Sequence, residues 1–399
     1  MKRKEALLAT LAFAGCAPLA RMLPINAGPA SSEESPSSVV LAFDFLDAMM
    51  DRYASGATLR LAQSFVPIPA SNLGSTAFVY DNAVMLMALL ARARRTDVDR
   101  AALLGESLAY AQTHDPIGDG RVRGAYYTDP FVSASGKLSF SDPSVDTGNM
   151  AWTGMAFAQL YAKTQTPAFL TAALAVGRWI VANVSDHRGP GGYTGGIGIS
   201  WKSTENNVDV YSLFTMLTTL SGDASWSAEA APAAALAESM WSAKHGCYWT
   251  GTLNDGVTPN TIPIPEDVQT WTFLSLGTAA HAQSIDWART HLSAQDAPFA
   301  GVSFSNADRS GVWFEGTAHL AAALLARGRG KDARRAAALL NDIQYAQVHA
   351  PNADGKGIVA ASKNGLRTGD GDQYFAALHV GATGWYALAA LSANPFVLF

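Results

Sequence analysis

Cysteine is nearly absent: Cys16 and Cys247 are the only two in 399 residues. Cys16 falls in the targeting segment discussed below and Cys247 then has no obvious partner, so neither a disulfide framework nor a cysteine-held zinc is expected. Charge is sparse as well. Asp, Glu, Lys and Arg make up 15% of the chain, 33 acids stand against 28 bases, and the formal net charge is −5. Binding a phosphate backbone needs a concentrated Lys/Arg face, and none is present. That argues against a nucleic-acid partner and makes a strongly anionic polymer an unnatural substrate. Also missing are a glycine-rich phosphate loop, a Gly-x-Ser-x-Gly nucleophile, a dinucleotide fingerprint and any His-x-x-x-His spacing. Nucleotide, serine-hydrolase and histidine-held metal chemistry lose their usual carriers, and neither cofactor nor metal is implied.

What the chain has is apolar substance, 49% of its residues, arranged with a rhythm. Apolar recurrence at three and four residues predicts helices near 38–54, 79–95, 97–113, 147–164, 167–184, 205–221, 226–244, 267–281, 283–294, 314–328, 332–348 and 373–391. Connections alternate between short joints, such as Arg95-Thr96, and long Gly/Pro/Ser/aromatic stretches at 55–78, 114–145, 185–204, 245–266, 295–312 and 349–371. Antiparallel hairpins then put every long connection on one face. Literal repetition supports this, because Tyr110-Ala-Gln-Thr-His114 matches Tyr345-Ala-Gln-Val-His349 at the ends of two predicted outer helices. Six hairpins closing into a ring give an all-α (α/α)6 toroid over 38–399, with an open solenoid as the alternative. The small, apolar last helix is suited to pack on the first hairpin and close the ring.

Six of these helices open on an acid beside an aromatic or amide. The openings hold Asp81-Asn82, Asp146 to Trp152, Trp201-Lys202 to Glu205-Asn-Asn207-Val-Asp209, Asp267 with Gln269 and Trp271, Trp313-Phe-Glu315-Gly316, and Asp370 with Asp372. Acids favour helix starts as caps, worth roughly 0.5–2 kcal/mol, so each has a structural reading as well as a chemical one. Glu205 escapes it best, since Ser203 or Thr204 can cap the helix. Asp209 stands one turn later on the same face, and two close carboxylates keep one protonated, as a general acid must be. Glu315 follows, with Gly316 leaving room for close approach; Asp81 is divided between site wall and cap. Asp267 reads mainly as a cap, and Asp146 as a weaker wall residue. The collected carboxylates, amides and indoles suit a neutral polar ligand such as a sugar and acid/base chemistry on it.

The amino terminus reads as an export signal. Met1-Lys-Arg-Lys-Glu is followed by an apolar stretch from Ala6 to Gly15, too short for a typical spanning helix, and Phe13-Ala14-Gly15-Cys16 resembles a bacterial lipobox. Residues 1–20 are expected to be the signal and 21–37 a flexible linker. Cys16 would be lipidated, giving a periplasmic or outer-membrane lipoprotein whose membrane contact is only that anchor; ordinary cleavage near Ala20 is the alternative.

Val-Tyr-Asp81-Asn82, Asn149-x-Ala-Trp152, Lys202-Ser-Thr-Glu205-Asn-Asn207-Val-Asp209, Asp267-Val-Gln269-Thr-Trp271, Trp313-Phe-Glu315-Gly-Thr and the terminal Asn394-Pro-Phe together resemble bacterial proteins of the six-hairpin glycosidase superfamily, over roughly 75–396. The usual element reads Lys-Ser-Thr-Glu-His-Asn, and here Asn206 takes the His place. The resemblance implies an exported glycoside hydrolase acting on a cell-envelope or matrix glycan, with inversion at the anomeric carbon. Glu205 would be the general acid and Glu315 the base, with Asp209 and Asp81 tuning charge or holding hydroxyls. Trp201, Trp271 and Trp313 would stack on sugar faces, and Lys202, Asn207, Trp152, Asp146 and Gln269 would complete the substrate site. Such toroids also host epimerases and lyases, for which His319 or Tyr211 would supply the base, and a noncatalytic carbohydrate-binding role is the third reading.

Overall fold

The computed structural model describes residues 36–68 and 73–399, so the readings for Cys16, the signal and nearly all of the linker lie outside the described residues. All twelve expected helices occur: α1 Ser38–Met50, α2 Val79–Arg92, α3 Arg95–Thr113, α4 Thr147–Thr164, α5 Pro167–Val184, α6 Thr204–Ser221, α7 Ser225–Ser239, α8 Glu266–Leu276, α9 Gln283–His291, α10 Phe314–Arg327, α11 Asp332–His349 and α12 Val380–Ala390. The even-numbered helices form an inner ring, each packed on its two inner neighbours, with α12 against α2. The odd-numbered ones cover them, and α1 serves as the outer partner of α12. The ring is therefore a closed (α/α)6 toroid, completed by the first helix.

Burial follows the two roles. Inner helices are covered on every side, so α10 buries each residue from Phe314 to Leu324. Outer α11 buries only a stripe of Asp332, Ala336, Ile343, Ala346 and Gln347. The short joints are sharp because α2, α4, α6, α8 and α10 each end on a left-handed residue, Ala93, Gln165, Gly222, Gly277 and Gly328, whose N–H caps the last turn. Two joints carry an added clamp. Arg92 Nε donates to Asp97 at 2.8 Å and Arg327 Nε to Asp332 at 2.7 Å, which explains why these two outer helices open on an acid.

The long connections contain short antiparallel strands, and six segments within them close the ring with one repeated pair of hydrogen bonds. The backbone N–H of Ala62, Val122, Tyr193, Tyr248, Val302 and Ile358 donates to the fourth side chain of an inner helix: Asn82, Met150, Asn207, Gln269, Thr317 and Thr383, respectively. Two residues on, the carbonyls of Ser64, Gly124, Gly195, Thr250, Phe304 and Ala360 accept from the first N–H of the preceding inner helix, at Val380, Val79, Thr147, Thr204, Glu266 and Phe314. Each segment thus clips two adjacent inner helices and satisfies an amide that a helix start leaves open. At the other end the carboxyl-terminal tail crosses the ring. Asn394 Nδ2 donates to Leu274 O, Gln159 Nε2 donates to Val397 O, and Phe396 packs on Trp152, Trp271 and Trp385.

α1, α7 and α8 end four or five residues before their expected bounds, at Met50, Ser239 and Leu276, and the largest difference is at the start of the last helix. Residues 373–379 are not helical: Gln373–Tyr374 pairs with Leu366–Arg367 in a hairpin, and Leu378–His379 is a strand between Phe65–Val66 and Ile358–Val359. The sixth inner helix consequently opens on His379, and Asp370 and Asp372 belong to the hairpin.

Candidate functional site

The clips use the first and fourth positions of each inner helix, which leaves the second and third to face the ring's mouth. The second positions are Tyr80, Gly148, Glu205, Asp267, Glu315 and Gly381; the third include Asp81, Asn149 and Asn206. Most of these line a two-lobed cleft. A wide lobe of about 620 Å³ holds Asp81, Asp142, Asp370, Asp372 and His379 on its walls. A narrower lobe of about 390 Å³ holds Asp146, Trp201, Glu205, Asn206, Asp267, Trp271 and Trp313. Tyr80, Asn149, Phe304, Glu315 and Tyr374 line both and form the seam between them.

Glu315 lies within a buried chain of alternating acids and imidazoles. Asp81 Oδ2 is 3.1 Å from His379 Nε2, His379 Nδ1 is 3.4 Å from Glu315 Oε2, Glu315 Oε1 is 3.7 Å from His319 Nε2, and His319 Nδ1 is 3.2 Å from Glu266 Oε2. Tyr80 OH donates to Glu315 Oε1 at 2.6 Å and accepts from Trp385 Nε1 at 2.7 Å. Space here is tight: a Cβ on Gly381 would come within 2.6 Å of Asp81 Oδ1 and 3.1 Å of Glu315 Oε2. Burial works against ionising Glu315, but His319, His379 and the Tyr80 hydroxyl together hold its carboxyl below the ordinary value. Both imidazoles respond in kind. Burial disfavours their charge, yet the carboxylates on each side carry them above the usual histidine value. His379 Nδ1 also accepts from Ala382 N–H at 3.2 Å, so this nitrogen caps α12 when bare and faces Glu315 when protonated.

Glu205 sits in the opposite electrostatic situation. Burial and then the Asp370 charge push its carboxyl up to about 7, with Glu315 adding to the effect and His319 opposing it. Asp267 is raised well above the ordinary value by burial, Glu205 and Glu266, and Asp209 by burial, Glu205 and Asp267. Neither oxygen of Asp209 has a hydrogen-bond partner. Burial also raises Asp146, whose Oδ2 accepts from Ser144 Oγ at 2.9 Å.

The expected site residues divide. Asp81, Asp146, Glu205, Glu315, Trp152, Trp201, Trp271 and Trp313 line the cleft. Asp209 is fully buried below it, behind Glu205, and reaches neither lobe. Lys202 is a correction: its Nζ is buried against Arg188 O, Gly191 O and Asp186, which turns it away from the cleft that Trp201 lines. Asn207 and Gln269 are corrections too, since both amides are consumed by the clips at the backbone of Tyr193 and Tyr248. Pro265 holds the cap position of α8, but Asp267 Oδ1 accepts from the open Val268 N–H of the first turn at 2.6 Å while its carboxyl also lies in the acid cluster. Gly316 makes room for the Trp313 ring rather than for a ligand. Tyr211 is absent from the lining, whereas His319 stands in the acid–imidazole chain.

The tryptophans play two parts. Trp201 is 39% exposed and packs over Gly195, free to offer a flat face at the rim. Trp152, Trp271 and Trp313 are almost fully buried and build the floor, where Trp271 lies 5.2 Å from Trp152 and 5.8 Å from Trp385. The indole N–H groups of Trp271 and Trp313 have no partner, nor does Glu266 Oε1. Unmet polar atoms gathered around one cleft are what a polar ligand or ordered water would satisfy. Sequence reasoning did not place Glu266, Asn149 or Tyr374 in a role, and missed His379; its one signal was a lone polar side chain in the apolar run before Gly381. Among the described residues no group of three or more His, Cys, Asp or Glu could hold a metal ion.

Neither a protein-family model nor a curated protein matches the chain. Solved structures do. A glycosidase variant in complex with glucose aligns over 90% of this chain and 97% of its own, at 13% identity and a TM-score of 0.63. A glycoside hydrolase family 76 mannosidase from Bacteroides thetaiotaomicron aligns over 89% and 98%, at 11% identity and 0.62. A sugar epimerase from a ruminal bacterium aligns over 88% and 95%, at 9% identity and 0.63. The chain has the six-hairpin toroid fold that these glycosidases and this epimerase share.

Proposed function

We propose that the protein is a glycoside hydrolase in which Glu205 protonates the departing glycosidic oxygen and Glu315 activates water. One observation carries the reading: two carboxyls of a single cleft have environments that drive them apart, Glu205 up to about 7 and Glu315 below its ordinary value. That separation lets one act as acid while the other acts as base at the same pH. Asp81 and His379 hold Glu315 charged and oriented, Trp201 stacks on a sugar face, and the floor indoles donate to ligand oxygens. Inversion is the stereochemical outcome proposed, on a glycan of the cell envelope or matrix.

Replacing Glu205 by Gln should lower turnover by roughly two to four orders of magnitude while binding survives, and Glu315→Gln should do the same. A glycoside with an activated leaving group needs less proton donation. It should partly rescue Glu205→Gln and not Glu315→Gln; equal rescue of both would mean that the roles are misassigned.

An epimerase reading is favoured by the imidazoles flanking Glu315 and by the epimerase among the structural relatives. Turnover that survives Glu205→Gln and disappears with His319→Gln would select it over hydrolysis. Export through a lipid-bearing Cys16 belongs to the same proposal. Cys16→Ser should release or misprocess the protein, and unchanged membrane fractionation would count against a lipid anchor.

A further inference from the structure

Acids in this molecule are treated in two ways. Away from the cleft several acids have basic partners, among them Asp51, Asp97, Asp115, Asp186, Asp286 and Asp332, which each pair with Arg or Lys. Among the described residues, Asp142, Asp146, Glu205, Asp267, Asp370 and Asp372 in the cleft have no such pairing, and no Lys or Arg lines either lobe. Among the described residues His379 is the only basic side chain on the walls, and Asp81 and Glu315 already occupy it. Burial raises Asp146, Glu205 and Asp267, and the neighbouring carboxylates Asp142, Asp370 and Glu205 add to the respective shifts, as expected where no cation balances the acids. The acids are distributed over the whole cleft. Asp142 and Asp146 are joined through Ser144 Oγ, at 2.9 Å from each, and reach the wide and narrow lobes respectively; Asp370 and Asp372 enter the wide lobe from the 366–374 hairpin.

Two further atoms narrow the ligand. Trp271 and Trp313 line the narrow lobe, are 3% and 2% exposed, and have indole N–H groups without partners. They require an acceptor oxygen on what binds, and the walls around them favour positive charge on the same molecule. A uronic acid or sulfated sugar offers the oxygens with the wrong charge. A neutral hexose offers them with none. We infer that the cleft selects amino sugars bearing a free, protonated amine, as in a de-N-acetylated glycan. The inference rests on the carbohydrate reading above and can be tested without turnover.

The probes are glucosamine, galactosamine and mannosamine, each set against its parent hexose, its N-acetyl form and the matching uronic acid. Binding is read by calorimetry and by fluorescence of the floor tryptophans at pH 6. At least one amine should bind about tenfold or more tighter than its three counterparts, with the gap narrowing several-fold from low to high salt. The double variant Asp142→Asn/Asp372→Asn should shrink the gap and leave the parent hexose's affinity unchanged, a pattern that general misfolding cannot produce. If in every set the hexose or N-acetyl form binds as tightly as the amine, if salt leaves the gap unmoved, or if no amine binds, the inference is overturned. Hydrolysis of neutral glycans that depends on Glu205 and Glu315, without amine preference, would sink the selectivity and keep the hydrolase. Amine-selective binding with no turnover on amine-bearing or neutral oligosaccharides would do the reverse.

Discussion

Replacing Asp209 by Asn should stabilise the protein, and by more as the pH rises. The side chain is fully buried, its two oxygens have no hydrogen-bond partner, and burial, then Glu205 and Asp267, push its pKa well above the ordinary 3.8. In the unfolded chain the group loses its proton near that ordinary value; in the folded protein it does so only at higher pH. Folding therefore takes up a proton. A carboxyl raised in this way contributes stability that is complete below the unfolded value and is lost as pH climbs toward the folded one. Each pH unit between the unfolded and the folded value is worth about 1.4 kcal/mol, so the destabilisation grows steadily as the pH rises above the ordinary carboxylate range. Asparagine has nearly the same shape and no proton to take up. Urea unfolding at pH 4, 5.5 and 7, followed by tryptophan fluorescence, should give similar stabilities at the lowest pH and a gap that opens upward, with unchanged m. Parallel pH dependences, or a gap widest at low pH, would refute the reasoning.

The two limbs of the pH profile of kcat/KM should move independently. Asp370→Asn removes charge that raises Glu205, so the alkaline limb near 7 should shift down; His379→Gln removes support for the Glu315 carboxylate, so the acidic limb should shift up. A profile that keeps both limbs in place would contradict these assignments. Asn207→Ala deletes the two buried hydrogen bonds of a clip, with Tyr193 N and Tyr193 O, and a part-buried one to Ser203 O, and should cost about 2–4 kcal/mol of stability with KM unchanged in the folded fraction. A raised KM with intact stability would return Asn207 to the substrate.

How far the sequence could be read depended on what each feature repeats. Helix existence was legible, because inner and outer helices both carry apolar recurrence over ten residues or more and the joints alternate in length. The start of α12 was not, since Gln373-Tyr374 has helical neighbours in sequence but pairs with Leu366–Arg367 across a hairpin. The clip position was invisible for a different reason. Asn82, Met150, Asn207, Gln269, Thr317 and Thr383 perform one task with four residue types, so their identity does not repeat. Only the count from the helix start repeats, and helix starts read from sequence are uncertain by more than the one residue this requires. Asn207 and Gln269 were consequently read as ligand contacts. Acids at the openings were legible as a group, yet Lys202 was not separable from them, because the half-buried Asp186 that holds it lies sixteen residues earlier in the chain.

The same geometry explains why carboxylates can gather where a helix would merely cap itself. A carboxylate in the first turn gains typically 0.3–1 kcal/mol from the helix dipole as an anion. At the second positions of α6 and α8 this gain loses: burial and the neighbouring acids raise Glu205 and Asp267. At the second position of α10 the anion wins only because two imidazoles and a phenol are added to the dipole. Six equivalent seats around one mouth thus hold Tyr, Gly, Glu, Asp, Glu and Gly, and the glycines are as necessary as the acids. A Cβ on Gly148 would come within 2.5 Å of Asn206 Nδ2, as one on Gly381 would strike Asp81. Emptying two seats lets the side chains beside them lean into the cleft, so the ring's repetition supplies the positions and its departures from repetition decide which carboxyl keeps a proton and which does not.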